Sequence, residues 1–211
     1  MEFRRNIEDK LKAWSQSPFR KPLVLRGARQ VGKTTAVKQF AVNYEQFIYL
    51  NLETDDAKSF EGERDIHKIV DRIFFLKDGE KGKADTLIFI DEIQEVPSAL
   101  NMLRYFYEEY PEYHVIAAGS LLESLFDRDV SFPVGRVDYL YMYPFTFGEF
   151  LEALGERNAL NAYRQVPVPD YAVDKLMQLF HTYTLVGGMP EAVYRYVVTK
   201  DLSQVKPVYD S

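Results

Sequence analysis

The chain of 211 residues carries 26 Lys and Arg against 32 Asp and Glu, a net charge of −6, and no cysteine. That balance offers no electrostatic footprint for nucleic acid or an anionic membrane, and the absence of cysteine excludes disulfides and thiolate zinc sites, which suits a reducing cytoplasm. Met1-Glu2-Phe3-Arg4-Arg5 leads into charged sequence with no signal-peptide core, and no apolar run approaches the roughly 18 residues of a membrane span. The expectation is a soluble, cytoplasmic protein: one large domain, or a core with a small appendage, burying roughly 70 % of its unfolded surface.

Residues 6–17 read as a short helix, with Ile7, Leu11 and Trp14 on one face and Pro18 ending it. Pro22 to Arg26 is a short apolar strand. It runs into Gly27-Ala28-Arg29-Gln30-Val31-Gly32-Lys33-Thr34-Thr35, which holds the G-x-x-x-x-G-K-T pattern of a phosphate-binding loop (Walker A). A helix over about residues 33–43 follows, with Val37, Phe40, Ala41 and Tyr44 on one side. Strand, glycine-framed turn and helix are the context the pattern needs. Gly27 and Gly32 let the backbone curl so that successive N–H groups face phosphate oxygens, and the helix N-terminus adds partial positive charge. Lys33 is placed to reach the β- and γ-phosphates, and the Thr34 hydroxyl to bind Mg²⁺. A chance match would lack these flanks, so the loop reads as a site for a nucleoside triphosphate.

Phe47 to Leu52 is a compact apolar run rich in strand formers, read as a buried strand. It ends in the acidic Glu53-Thr54-Asp55-Asp56, a solvated loop in which Glu53 is the residue best placed to act at a rim. Ile66, Ile69, Val70 and Ile73 mark an amphipathic helix, and residues 78–83 a charged turn. Then Thr86-Leu87-Ile88-Phe89-Ile90-Asp91-Glu92 describes a central parallel strand delivering two carboxylates to its C-terminal edge, the ligand-binding edge of such sheets. Asp91 would hold the Mg²⁺ shell, and Glu92 would polarise a water aimed at the γ-phosphate.

Pro97 opens a helix with Leu100, Leu103, Tyr107 and Tyr110 on its apolar face. With only Arg104 interleaved, these aromatics read as core rather than as a base-stacking platform. His114 to Ala118 is a strand ending at Gly119-Ser120, where Ser120 serves either as a γ-phosphate sensor or as a cap on the turn at 121–125. Residues 131–137 form a turn into a fifth strand, Asp138 to Met142; on its own, Arg136 in that turn reads as a surface residue. Beyond Tyr143, Thr146 and Glu149 have the spacing of a capping box, opening a helix with Phe147, Phe150, Leu151 and Leu154 on its apolar face. Residues 155–170 are polar, contain Pro167 and Pro169, and read as a linker or excursion. Leu176, Leu179, Phe180 and Tyr183 mark a further helix that stops at Gly187-Gly188, and Met189-Pro190 starts the next. His67, His114 and His181 carry no metal spacing. The organisation is an α/β core over residues 1–145 followed by a helical lid over 146–211.

Six blocks together carry a resemblance: residues 25–34, Leu87 to Gln94, Ala118 to Leu122, Ser131 to Arg136, Pro144 to Phe150, and Gly187 to Ala192. In this order the chain resembles prokaryotic AAA+-like ATPases, the archaeal-type predicted ATPases near the STAND class, along nearly its whole length. The resemblance implies a three-layer α/β P-loop NTPase fold with a parallel sheet in the order 5-1-4-3-2. It makes Gly188 and Pro190 part of a glycine-x-proline element that sets a proline ring against adenine. It also gives Arg136 a sensor or arginine-finger role. Members commonly continue for well over another hundred residues into an endonuclease-like output domain, so a chain ending at Ser211 reads as a fragment, an excised domain or a shortened relative.

The expected activity is Mg-ATP binding with slow hydrolysis that resets a conformational switch. The adjacent Glu92 favours it. Two alternatives remain open: a nucleotide-dependent interaction module with negligible turnover, favoured by the glycine-proline element, and a nucleic-acid-associated AAA+ ATPase, which the acidic balance disfavours. The expected partners are a second copy of the chain or another protein, with no membrane involved.

Overall fold

The computed structural model describes residues 3–60, 62–120 and 135–210, so the expected turn at 121–125 and most of that at 131–137 lie outside the described residues. By its internal contacts the chain divides into two compact units. One comprises residues 9–29 and 33–142; the other comprises residues 3–8, 30–32 and 143–210.

The first unit is built on a parallel sheet of β1 (Leu23–Arg26), β2 (Gln46–Asn51), β3 (Thr86–Asp91), β4 (His114–Ala118) and β5 (Asp138–Tyr141). The sheet order is β2-β3-β4-β1-β5, with every neighbouring pair parallel. This is the order implied by the family resemblance, read from the other edge. β3 is buried at all six positions, as a central strand covered on both faces must be. β2 is an edge strand: Ile48 and Leu50 are buried while Phe47 and Tyr49 are only half covered, so the continuous burial expected of it is reduced to alternation by the missing neighbour.

Side-chain alternation divides the strand residues between two faces. Val24, Ile48, Leu50, Ile88, Ile90, Val115 and Ala117 share one core with α3 (Ile66–Leu76) and α4 (Pro97–Glu109). On α4 the buried aromatic is Phe106, and Tyr107 is only half covered, because the covered face is centred on Ala99, Leu103 and Phe106. The opposite face presents Leu23, Leu25, Leu87, Phe89 and Ile116, all fully buried. α2 (Lys33–Phe40) packs on β4 there. α1 (Asn6–Ser15) buries Ile7, Leu11 and Trp14.

The second unit is helical: α5 (Phe147–Ala153), α6 (Arg157–Tyr163), α7 (Asp170–Val186), α8 (Pro190–Thr199) and α9 (Lys206–Tyr209). The capping box opens α5, with Thr146 and Glu149 satisfying each other's backbone. The stretch 155–170, expected to be a linker or excursion, is corrected in that it contains α6. Ala159, Leu160 and Ala162 of α6 are buried with Leu151, Ala172 and Leu176, a packing of small side chains that gives no strong apolar period in the sequence.

His114 opens β4 on the α1 side of the sheet. Its ring meets Trp14 at 5.7 Å and Tyr44 at 5.0 Å between centroids, and its Nε2 lies 3.2 Å from the Ser15 carbonyl. Burial, assisted by the charge of Arg20, holds its pKa below the usual histidine value. The folded state therefore keeps His114 neutral where the unfolded chain would bind a proton, and stability is lost as pH falls through about 6.5 toward the lower folded value. His114→Phe, which cannot titrate, should flatten that slope between about pH 7.5 and 5.5 in urea-denaturation midpoints. Equal slopes in the two proteins would remove His114 as the cause.

Candidate functional site

β1 ends at Arg26, and the chain turns through the glycine-framed loop into α2. Gly27 and Gly32 take positive φ, and so does Gln30 at 62°. A left-handed residue without glycine's freedom is strained, and such strain persists only where surrounding contacts over-determine it. Ala28, Arg29 and Gln30 are exposed, while the Val31 side chain is fully buried. Lys33, the first residue of α2, is only 6 % exposed. Its Nζ donates to the carbonyls of Gly27 and Ala28, both at 2.9 Å. Burial pushes the Lys33 pKa down, while the nearby charges of Glu92 and Asp91 pull it back up. An ammonium has three donors. A buried cation with two of them on loop carbonyls suits a site that receives an anion.

Asp91 ends β3 and is 3 % exposed. Its Oδ2 accepts from Thr34 Oγ1 at 2.7 Å and from the Tyr49 hydroxyl at 3.3 Å, and its Oδ1 accepts from the Glu92 N–H at 3.1 Å. Burial raises its pKa, opposed by the Thr34 bond. Tyr49 in turn is pushed up to about 12 by burial and by the Asp91 charge, so it remains a donor. Two hard oxygen ligands, one hydroxyl and one carboxylate, thus touch each other at the loop. Among the described residues no group of three or more His, Asp or Glu side chains forms a protein cage for a metal. A hydroxyl and a single carboxylate fit Mg²⁺, which keeps waters and takes the rest of its octahedron from substrate phosphate.

The next residue, Glu92, is also left-handed, at φ 52° and ψ 46°. That turn brings the chain off β3 and leaves the carboxylate half-buried, where its Oε2 accepts from Gln94 Nε2 at 2.6 Å. Gln94 Oε1 is itself buried and has no hydrogen-bond partner among the described residues. Ser120, two residues past β4, accepts from Arg29 Nε at 3.4 Å, so the end of β4 and the loop meet side chain to side chain.

Arg136 stands apart from this group. Asp138 pairs with Leu23 and Tyr141 with Arg26, so Arg136, before β5, lies toward the edge of the sheet opposite the loop. There it is exposed and bonds Glu108 Oε1 at 2.9 Å. In the helical unit, Pro190 opens α8, and Gly188 is fixed by packing. A Cβ on Gly188 would come within 2.7 Å of the Phe145 carbonyl and 2.9 Å of Pro144, and the Gly188 carbonyl accepts from the Phe145 N–H at 2.7 Å.

Sequence reasoning did not single out Tyr49 or Gln94. Tyr49 carried a faint signal, since it alternates outward on a strand whose last residue pairs with Asp91. Gln94 carried one in being two residues past Glu92.

Residues 19–151, well over half of the chain, match the model of the AAA domain. Among solved structures, the chain is similar to the Walker-type ATPase PABY2304 of Pyrococcus abyssi, with 18% identity and a TM-score of 0.60 over 98% of this chain and 71% of that one. It is similar to C. elegans PCH-2, with 14% identity and a TM-score of 0.58 over 98% of this chain and 69% of that one. Drosophila ORC bound to DNA matches with 13% identity and a TM-score of 0.53 over 95% of this chain and 59% of that one. At these identities the likeness shows the fold. No curated protein sequence matches the chain. The strand order, the loop and the match to residues 19–151 agree, and the chain belongs to the AAA-domain family, with the fold of an AAA-like P-loop ATPase.

Proposed function

We propose that the chain binds Mg-ATP on the loop at residues 27–35 and hydrolyses it slowly, as a switch between nucleotide-loaded and unloaded conformations. The observation that carries this reading is the Thr34–Asp91 bond of 2.7 Å beside the buried Lys33. Loop N–H groups from Ala28 to Thr35 and the start of α2 hold the phosphates, and Lys33 neutralises the β- and γ-phosphates. Thr34 and Asp91 would hold Mg²⁺, and its charge would offset that of the phosphate oxygens. Glu92 orients a water for in-line attack on the γ-phosphorus. The new P–O bond forms as the bond to the bridging oxygen breaks, giving ADP and phosphate, and Glu92 accepts the water's proton. Ser120 and Arg29, joined at 3.4 Å, sit on the loop side to register the γ-phosphate. The Gln94 bond to Glu92 supports slow turnover, since it occupies one oxygen of the proposed base.

Drosophila ORC is bound to DNA, but this chain's net charge of −6 disfavours attraction to a polyanion, so nucleic acid is left out of the proposal. Among the described residues no helix is long and apolar enough to cross a membrane.

Lys33→Ala should abolish Mg-ATP binding in calorimetry while the circular dichroism spectrum stays unchanged. Wild-type affinity in that variant would mean that phosphate does not sit on the loop. Glu92→Gln should keep ATP affinity within a few-fold and lower hydrolysis by about 10²-fold or more. Equal phosphate release by the two proteins would remove Glu92 as the base.

Arg136, at the far edge of its own sheet, is proposed to serve the phosphate of a neighbouring copy. Specific activity should then rise with protein concentration, and mixing Glu92→Gln with Arg136→Ala should restore part of it, because an arginine donated in trans contributes about 10³–10⁵-fold. Activity that is flat with concentration and unrescued by mixing would leave the arginine with Glu108 alone.

A further inference from the structure

Arg5 is a buried arginine outside the matched domain, and its guanidinium is aimed at three acceptors. Nε donates to Glu149 Oε1 at 3.0 Å, one terminal nitrogen to the Val31 carbonyl at 3.2 Å, and the other to the Tyr143 carbonyl at 2.8 Å. The guanidinium carbon lies 3.9 Å from the centre of the Phe145 ring. The Arg5 and Glu149 side chains are 7% and 4% exposed.

Glu149 does more than a capping box requires. Its Oε2 alone completes the box, accepting from the Thr146 N–H at 2.8 Å and the Thr146 hydroxyl at 3.0 Å. Its Oε1 is left for the Asn6 N–H, at 2.7 Å, and for Arg5. Burial pushes the Glu149 carboxyl up, but the Thr146 and Asn6 bonds and the Arg5 charge outweigh that and hold it below the usual glutamate value. The carboxylate therefore stays charged and keeps the arginine in one orientation. A desolvated ion pair is a poor source of stability compared with apolar packing, and its best-attested use is to specify one geometry.

The geometry specified here is that of the phosphate loop. Val31 follows the strained Gln30 and precedes Gly32, whose φ is 93°. In a trans peptide the C=O and the following N–H point in opposite directions. Holding the Val31 carbonyl toward Arg5 therefore turns the Gly32 N–H away from Arg5. The carbonyls of Gly27 and Ala28 are held by Lys33 and that of Val31 by Arg5. A loop whose N–H groups receive an anion must find partners for the carbonyls that turn outward.

We infer that Arg5, oriented by Glu149, is a positioning residue that fixes the Gln30–Val31–Gly32 tip in its phosphate-accepting conformation, an assignment that rests on the nucleotide reading of the loop. It touches neither substrate nor reacting atoms. It acts by removing conformations in which the Val31–Gly32 peptide is rotated and one phosphate donor is lost.

Two variants of the full chain test this. Arg5→Lys keeps the charge opposite Glu149 but cannot reach all three acceptors. Arg5→Met with Glu149→Gln removes both charges and keeps the volume against Phe145. It guards against a failure to fold, which a lone unpaired Glu149 could cause. ATP affinity is measured by calorimetry, and amide hydrogen exchange is followed over residues 27–36. Both variants should bind ATP about 10-fold more weakly, equivalent to one hydrogen bond to a charged group, and should exchange the loop amides faster. Folded variants with wild-type affinity and wild-type loop exchange would overturn the inference, leaving Arg5 a structural residue of the helical unit. Lys33→Ala separates the two readings. Wild-type ATP affinity in Lys33→Ala overturns the nucleotide reading and the Arg5 assignment with it, whereas loss of binding in Lys33→Ala beside wild-type affinity and exchange in the Arg5 variants overturns the Arg5 assignment alone.

Discussion

The constraint on which the first unit depends is the burial of Asp91. A carboxylate at 3 % exposure needs hydrogen-bond partners, and it finds them in Thr34, Tyr49 and the Glu92 N–H. Each partner comes from a different part of the fold: the start of α2, the neighbouring strand β2, and the turn after β3. β4 lies between β3 and β1, so the Thr34–Asp91 bond must pass over the end of β4. That end is Ala117-Ala118-Gly119, all buried. Larger side chains there would fill the space that the loop and α2 need to approach the carboxylate. The small residues at the end of β4, the apolar run of β3 and the glycine-framed turn after β1 are thus one requirement expressed in three places.

The elements easiest to read in the sequence were those whose pattern is local. β3 announces itself by four apolar residues before two acids, α3 by its period, and α5 by its capping box, and all three form where expected. The strand order came from the family resemblance, because periodicity cannot say which strands are neighbours. α6 was missed since its buried residues are mainly alanines, whose weak hydrophobicity leaves no period when prolines and charges surround them. The choice between Phe106 and Tyr107 turned on a small rotation of α4, below what spacing alone resolves. At the site, the loop and the two acids were legible as motifs. The residues that hold them were not: Arg5 meets Val31 across 26 positions and Glu149 across 144. One of two adjacent arginines in a charged stretch looks like a surface residue until the fold closes on it.

Gln30 and Glu92 show where local rules give way. Both adopt left-handed backbone without being glycine, one in the phosphate loop and one directly after the buried acid. Neither turn would be chosen by backbone preference, and each is held from outside. The Val31 carbonyl bond to Arg5 and the buried Val31 side chain fix the residue after Gln30. The bond from Gln94 fixes the Glu92 side chain. Asp78 and Lys200 are left-handed as well, away from the loop; what sets Gln30 and Glu92 apart is that each flanks a residue proposed to meet nucleotide, where such strain has a use.

The charges of the site act as a set. Lys33 is pulled toward its neutral form by burial and toward its charged form by Glu92 and Asp91, while Asp91 is raised by its own burial and by Glu92. Removing the Glu92 charge therefore has two opposite effects on a polyanionic ligand. It withdraws one of the carboxylates that keep Lys33 protonated, which weakens phosphate binding. It also withdraws a negative charge that repels the incoming phosphate and that raises the Asp91 pKa, which strengthens metal and phosphate binding. Each effect is a Coulombic interaction in a partly buried site, of the order of a few kcal/mol at most, and they oppose. Binding is left nearly balanced, whereas the proposed hydrolysis loses its proposed base. On the proposed reading, a carboxylate placed directly after the aspartate proposed to hold the metal could be tuned for catalysis with little consequence for affinity, provided that the lysine answering both acids is buried with them.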